Sequence, residues 1–223
     1  MDDIPFLPDV TPWEDGKASG QRSAVSDQQG ERSPCDIGMP PSRYPLARIR
    51  ALADKAVAAL APFCERIEIA GSLRRGRPVV GDIDLVILPK DRAAIRKRLI
   101  PACHLIADGQ QNLIVDFPVP SLQSSVSSLQ SAVPRLQLDI FFAHGGTSDF
   151  FTHEPSNWGT LLLCRTGSKE FNIWFAQQAT AAGYHWNPYR GLMADGKVIA
   201  SATEADLFAS LRLGVINPED RER

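Results

Sequence analysis

The stretch that most limits what this chain can fold into is Ile69 to Leu88, IAGSLRRGRPVVGDIDLVIL. Both ends are apolar and rich in β-branched residues, which is the pattern of strands. A polar, basic, glycine-punctuated turn lies between them. Asp82 and Asp84 are two residues apart, and a strand sets residues i and i+2 on one face. Two carboxylates therefore point the same way at the head of a run, Ile83 and Leu85 to Leu88, that is too apolar to lie exposed. Upstream, Gly71, Ser72, Arg75 and Gly81 offer what a phosphate needs: backbone N–H groups open to close approach, a hydroxyl and a guanidinium. Paired carboxylates beside an anion cradle point to a divalent metal ion holding a polyphosphate. The plainer reading is a surface hairpin with solvated charges, and the apolar flanks argue against it.

Around this stretch the chain divides into segments. Residues 1–42 are rich in Asp, Ser, Gly, Gln and Pro without a sustained period, and read as a disordered acidic tail. Pro45 opens a helix whose apolar residues, Leu46, Ile49, Leu52, Ala53, Ala56 and Leu60, recur at three- and four-residue spacing until Pro62. A strand over Ile67–Ala70 leads into the turn. Asp91–Leu99 reads as a basic helix, either a solvated face or a contact to a nucleic-acid backbone. Leu113–Phe117 reads as a strand. Residues 118–134 repeat Ser-Leu-Gln and read as a flexible insertion.

Arg135–Ala143 is the next strand, with Gln137, Asp139 and Phe141 on one face and Leu136, Leu138, Ile140 and Phe142 on the other. A lone acid buried in such a strand costs several kcal/mol unless a cation meets it, either an arginine or a metal. Further on, Ser168 is a good helix N-cap ahead of Phe171, Trp174, Phe175 and Gln178. Thr203 with Asp206 resembles a capping box, and Gly214 is a natural stop for the helix between them.

Composition narrows the class. The chain has 223 residues, enough for a sizeable core. No apolar run approaches the roughly 20 residues of a membrane span, and the acidic, Pro-broken start does not read as a signal peptide. The four cysteines are scattered without a Cys-x-x-Cys pair, which argues for a reduced, intracellular, zinc-free protein in the cytoplasm or nucleoid. The net charge of −2 conceals segregation: residues 43–110 carry 13 basic and 7 acidic side chains, while residues 1–42 carry 3 and 8. The basic segment fits an anionic ligand, and the modest total implies a DNA grip that salt weakens easily.

Gly71-Ser72, Arg74-Arg75-Gly76 and Gly81-Asp82-Ile83-Asp84 resemble the palm signature of the family X DNA polymerases, the group that includes polymerase beta. A second match is Trp158-Gly159 opening a helix that closes on Thr166-Gly167-Ser168, followed by a helix bearing Asn172. Gly183-Tyr184, Tyr189, Gly191-Leu192, Thr203–Gly214 and the closing Pro218-Glu219-Asp220-Arg221 also fall in the family's order, so the resemblance spans about 43 to 223. It implies an α+β fold: a nucleotidyltransferase palm over 43–156, with a mixed or antiparallel sheet and flanking helices, then a small nucleotide-selecting, thumb-like α+β subdomain over 157–223. Nothing before Arg43 is long or apolar enough for the family's helix-hairpin-helix and lyase modules, so the expectation is palm and thumb-like subdomain only.

The resemblance further implies a template-directed, gap-filling DNA polymerase of DNA repair. It would use dNTPs on gapped or primer-template DNA, with Mg²⁺ (or Mn²⁺) as cofactor, as a monomer away from membranes. Asp82, Asp84 and Asp139 become the catalytic metal ligands. Gly71, Ser72, Arg75, Gly81, Cys164, Arg165, Gly167, Ser168, Lys169 and Asn172 become nucleotide-binding residues. Several positions depart from the family. Cys164 and Arg165 stand where many relatives have two aromatics beside the sugar, Lys169 where some have an acid, and Ala176 where many have a template-touching arginine. Two alternatives stay open: a template-independent or non-DNA-acceptor nucleotidyltransferase, possibly one using ribonucleotides, and a non-catalytic DNA-binding relic.

Overall fold

The computed structural model describes residues 43–119, 135–148 and 153–222. The expected tail, 1–42, and residues 120–134 of the expected insertion lie outside the described residues. The fold is α+β, a mixed sheet flanked by helices.

Strand β1 (Tyr44–Pro45) pairs antiparallel with β3 (Val79–Val80) and sends the chain into helix α1 (Leu46–Leu60). Pro45 sits just outside that helix, at the N-cap, and Pro62 falls in a short 3₁₀ turn, Ala61–Phe63, that ends it. The buried residues of α1 are the ones the spacing marks: Ile49, Leu52, Ala53, Ala56 and Leu60. The segment between the two apolar runs is more than a turn, because Gly71–Arg74 closes one helical turn, α2.

The main sheet has five strands: β2 (Cys64–Ile69), β4 (Asp82–Pro89), β7 (Arg135–Phe142), β6 (Asn112–Pro118) and β5 (His104–Asp108), side by side in that order. Only β4 and β7 run parallel; the other pairs are antiparallel. The alternation of β4 and β7 sorts side chains by face. Ile83, Leu85 and Ile87 join Leu136, Leu138 and Ile140 in one core, with Leu113, Val115 and Phe117 beside them. Helix α1 and helix α3 (Arg92–Leu99), through Ile95 and Leu99, cover that face. The acids therefore emerge on the opposite face.

Helix α3 starts at Asp91, whose carboxylate accepts from Ala94 N at 2.9 Å. Two of its three arginines serve the fold. Arg92 donates to the carbonyls of Gly109 and Gln110, and Arg96 lies 2.7 Å from Asp108, so both clamp the β5–β6 hairpin.

A two-stranded pair, β8 (Gly146–Ser148) and β9 (His153–Pro155), precedes helix α4 (Trp158–Thr166). Trp158, Leu161 and Leu162 of α4 pack on Val86 and Phe141, covering the far end of the acid-bearing face. The Gly159 position has a steric cause: a Cβ there would stand 2.3 Å from the Thr203 backbone, while Gly159 N donates to Ala202 O at 3.1 Å.

The C-terminal region has its own core, built from Phe171, Phe175 and Ala179 of α5 (Lys169–Ala181), Leu207 and Phe208 of α6 (Glu204–Ser210), and Trp186, Leu192 and Ala200 of an antiparallel sheet. That sheet contains β10 (His185–Asn187), β11 (Gly191–Ala194) and β12 (Lys197–Ala200). Thr203 caps α6 by accepting from Asp206 N at 3.0 Å. The helix stops at Ser210, before Gly214, because Arg212 takes the left-handed conformation (φ 55°) and turns the chain. No helix among the described residues is long and apolar enough to cross a membrane.

Candidate active site

The parallel β4–β7 pairing decides the geometry. Asp84 lies directly opposite Asp139, and Asp82 opposite Gln137. Neighbouring strands are about 4.8 Å apart and same-face positions about 6.6 Å apart. Three carboxylates from positions 82, 84 and 139 thus emerge from one small patch of sheet. Gln137 Nε2 donates to Asp139 Oδ1 at 2.7 Å and orients that acid along the strand.

Burial and mutual repulsion both disfavour ionising these groups. Asp84 is pushed up from 3.8 to about 7, first by burial and then by the charges of Asp82 and Asp139, with Arg165 and Arg75 pulling the other way. Burial also raises Asp82, opposed chiefly by Arg75. Burial raises Asp139 as well; the Gln137 hydrogen bond and Arg165 oppose this, and Asp82 adds to it. Three acids that repel one another on one face are stabilised in their charged form by a cation beside them.

The chain approaches this patch closely at the α2 turn. Gly71 has φ +58°, and a Cβ there would stand 1.8 Å from Asp84 Oδ2. Only glycine permits both the conformation and the contact. Ala70 N donates to Asp84 O at 2.8 Å and fixes the turn to β4. Ser72 follows in α2, and Gly81 immediately precedes Asp82. Among the described residues no group of three His, Cys, Asp or Glu closes into a ready-made metal cage. The donor set nevertheless suits a hard divalent ion, being all carboxylate, and the space kept clear by Gly71 lies against one of the donors.

Arg75 does not hang free in the cleft. Its Nε lies 2.6 Å from Glu222 Oε1, and it donates to the Thr166 carbonyl. Arg77 reaches the other Glu222 oxygen at 3.1 Å. The expected phosphate ligand is thus held by a carboxylate from the far end of the chain. Arg74, its neighbour, makes a two-toothed contact with Glu204 at 2.9 and 2.7 Å and donates to Thr166 Oγ1 at 2.7 Å. Arg221, 1% exposed, meets the same Glu204 at 2.7 Å and donates twice to Ile216 O. Burial pushes the Glu204 carboxyl up, but the hydrogen bonds and charges of Arg74 and Arg221 outweigh it and leave it below its usual value. This Arg-Glu-Arg link joins the α2 turn to the C-terminal region. The double arginine and the closing Pro-Glu-Asp-Arg were its only visible traces in sequence.

The remaining expected residues line the α4–α5 junction. The Gly167–Ser168 peptide is cis, and the Gly167 Cα faces the Arg75 guanidinium: a Cβ there would be 3.3 Å from Nη1. Ser168 is buried; its hydroxyl donates to Arg221 O at 2.9 Å and accepts from Phe171 N at 3.2 Å, so it serves as cap and tether. Lys169 is exposed. Asn172 Nδ2 donates to the Cys164 carbonyl at 2.8 Å, and its buried Oδ1 has no partner among the described residues. Arg165 stacks 3.8 Å above the Phe141 ring and donates to the Tyr189 hydroxyl.

Residues 161–222 match the family model described as DNA polymerase beta thumb. Over 190 residues, 84% of this chain, the sequence is 26% identical to the DNA polymerase/3'-5' exonuclease PolX of Bacillus subtilis (strain 168), and it spans 30% of that protein's length. The chain is thus similar to a polymerase beta thumb over residues 161–222 and to this polymerase relative over most of its own length, with the thumb match lying downstream of the strand pair that carries the three carboxylates.

Proposed function

We propose that residues 43–156 act as a polymerase palm and residues 157–223 as its nucleotide-selecting thumb. Together they transfer a nucleoside monophosphate from a dNTP to a primer 3′-hydroxyl, as in gap filling during DNA repair. The observation that carries this reading is the in-register pairing of Asp84 with Asp139, with Asp82 on the same face, under the Gly71–Arg75 turn.

In the reaction a bond forms from the 3′-oxygen to the α-phosphorus. The bond from that phosphorus to the bridging oxygen breaks, and pyrophosphate leaves. Asp82, Asp84 and Asp139 are the residues that would hold Mg²⁺, with Mn²⁺ as the other candidate. Bound there, the ion supplies positive charge that lowers the hydroxyl's pKa and neutralises the leaving group. The chain's own residues do the positioning. Backbone N–H groups around Ser72 and Gly81, with Arg75, face the β- and γ-phosphates, and Arg75 exchanges Glu222 for phosphate oxygen. Gly167 admits the sugar, and Asn172 Oδ1, which lacks a partner among the described residues, accepts from the base edge. Positioning and charge stabilisation are what phosphoryl transfer requires of a protein.

The test is Mg²⁺-dependent extension of a labelled primer on gapped, nicked and blunt DNA, with deoxynucleotides and ribonucleotides offered singly. Asp82→Ala and Asp139→Ala each abolish extension while keeping the fold. Incorporation retained in both variants overturns the assignment. Extension without template, or with ribonucleotides alone, favours the second reading, a nucleotidyltransferase of other specificity. That reading draws on the Cys164-Arg165 departure, with Arg165 stacked on Phe141 two residues beyond Asp139.

A further inference from the structure

A cation stands on the acid-bearing face of the sheet, next along the strand from the carboxylates. Arg165, near the end of α4, lies 3.8 Å from the Phe141 ring centroid and 5.5 Å from that of Tyr189. Phe141 stands two residues beyond Asp139 on the same face of β7, and its partner on β4 is Val86, two beyond Asp84. The guanidinium is therefore held over a ring that lies one same-face step, roughly 7 Å of strand, beyond Asp139. It is placed by ring stacking and by the Tyr189 hydroxyl, and its buried Nε has no hydrogen-bond partner among the described residues. No ion pair joins it to either carboxylate among the described residues. Its charge acts on both acids from a distance.

A positive charge fixed beside a carboxylate cluster has two consequences. It relieves the repulsion among the acids when no metal is bound. It also opposes entry of a divalent cation until the negative charge of a triphosphate offsets it.

We infer that Arg165 is a fixed counter-charge beside Asp84 and Asp139 that holds down the acid cluster's affinity for free divalent ions, so that metal and nucleotide load together. This rests on the proposed function, since it assumes that these acids bind a metal.

The experiment measures Mn²⁺ binding to the full chain without nucleotide, by the electron spin resonance signal of free Mn²⁺. Wild type is compared with Arg165→Met and Arg165→Gln, which keep an unbranched stem against the Phe141 ring but lose the charge, and with Arg165→Lys, which keeps it. Both neutral variants bind Mn²⁺ about tenfold more tightly, and Arg165→Lys stays close to wild type. Two neutral variants are used so that misfolding of one leaves the other to decide. Mn²⁺ bound by wild type and neutral variants with equal affinity, or more weakly by the neutral ones, overturns the inference alone. Absence of binding by every variant overturns the metal reading of the site, and this inference with it.

Discussion

Replacing Gly71 by alanine separates the fold's tolerance from the site's. The glycine sits at φ +58°, a conformation that costs an L-residue roughly 1–2 kcal/mol. The added Cβ would stand 1.8 Å from Asp84 Oδ2 and 2.7 Å from its Cγ, so the whole carboxylate has to swing away. Asp84 is the flexible partner in that clash, and leaving its preferred rotamer costs about 0.5–1.5 kcal/mol. The sum, about 1.5–3.5 kcal/mol, lowers the melting temperature by roughly 3–14 °C in a domain of this size. The functional loss is larger, because the swing removes one of three acids from a site that depends on their convergence. Calorimetry of Gly71→Ala with and without Mn²⁺, alongside single-nucleotide incorporation, reads both effects. We expect a folded protein that has lost most of its Mn²⁺-induced stabilisation and at least a hundredfold of its incorporation rate. Incorporation and metal response within twofold of wild type would refute the placement of Asp84 in the site.

Two further outcomes follow from the site's charges. Glu204→Gln leaves Arg221, 1% exposed, without its counter-charge; breaking a buried pair from one side costs about 3 kcal/mol or more, which thermal unfolding reads directly, and Glu204→Gln combined with Arg221→Met recovers part of it. The Asp84 carboxyl, raised from 3.8 to about 7 in the folded chain, makes metal-free stability fall as pH rises across that window. There the folded state keeps a proton that the unfolded state has released. Asp84→Asn flattens this slope in a series of melts from pH 4 to 8, and the Mn²⁺-induced rise in melting temperature is small at the acid end and large at the alkaline end.

Much of the sheet and its acids was legible because period and chemistry agreed. In β4 and β7, residues 82, 84 and 139 interrupt otherwise apolar runs, and the two-residue period places them on one face. Helices α1 and α5 carried clear spacing and a cap at Ser168. Strand β5, HLIAD, was not visible, since it is a sheet edge with neither face fully buried, so no alternation marks it. The end of α6 was misplaced at Gly214 because a left-handed Arg212 stops it earlier, and arginine carries no signal for that conformation. Long-range ion pairs were invisible for a plain reason. Arg74 and Glu204 are 130 residues apart, and Arg75 and Glu222 are 147 apart, so only the folded chain shows that they meet. The reading of Arg75 as an open phosphate ligand did not foresee that Glu222 occupies it.

The central claim is that three acids far apart in the chain converge on a divalent cation beside a triphosphate. Anomalous scattering from crystals grown with Mn²⁺ and a non-hydrolysable deoxynucleoside triphosphate tests it most directly. The account predicts a manganese peak bound by oxygens of Asp82, Asp84 and Asp139 at hard-cation coordination distances, roughly 2.0–2.6 Å, with Glu222 released from Arg75. Density that places the ion elsewhere, or leaves Asp139 on Gln137 with no metal between the strands, would contradict it.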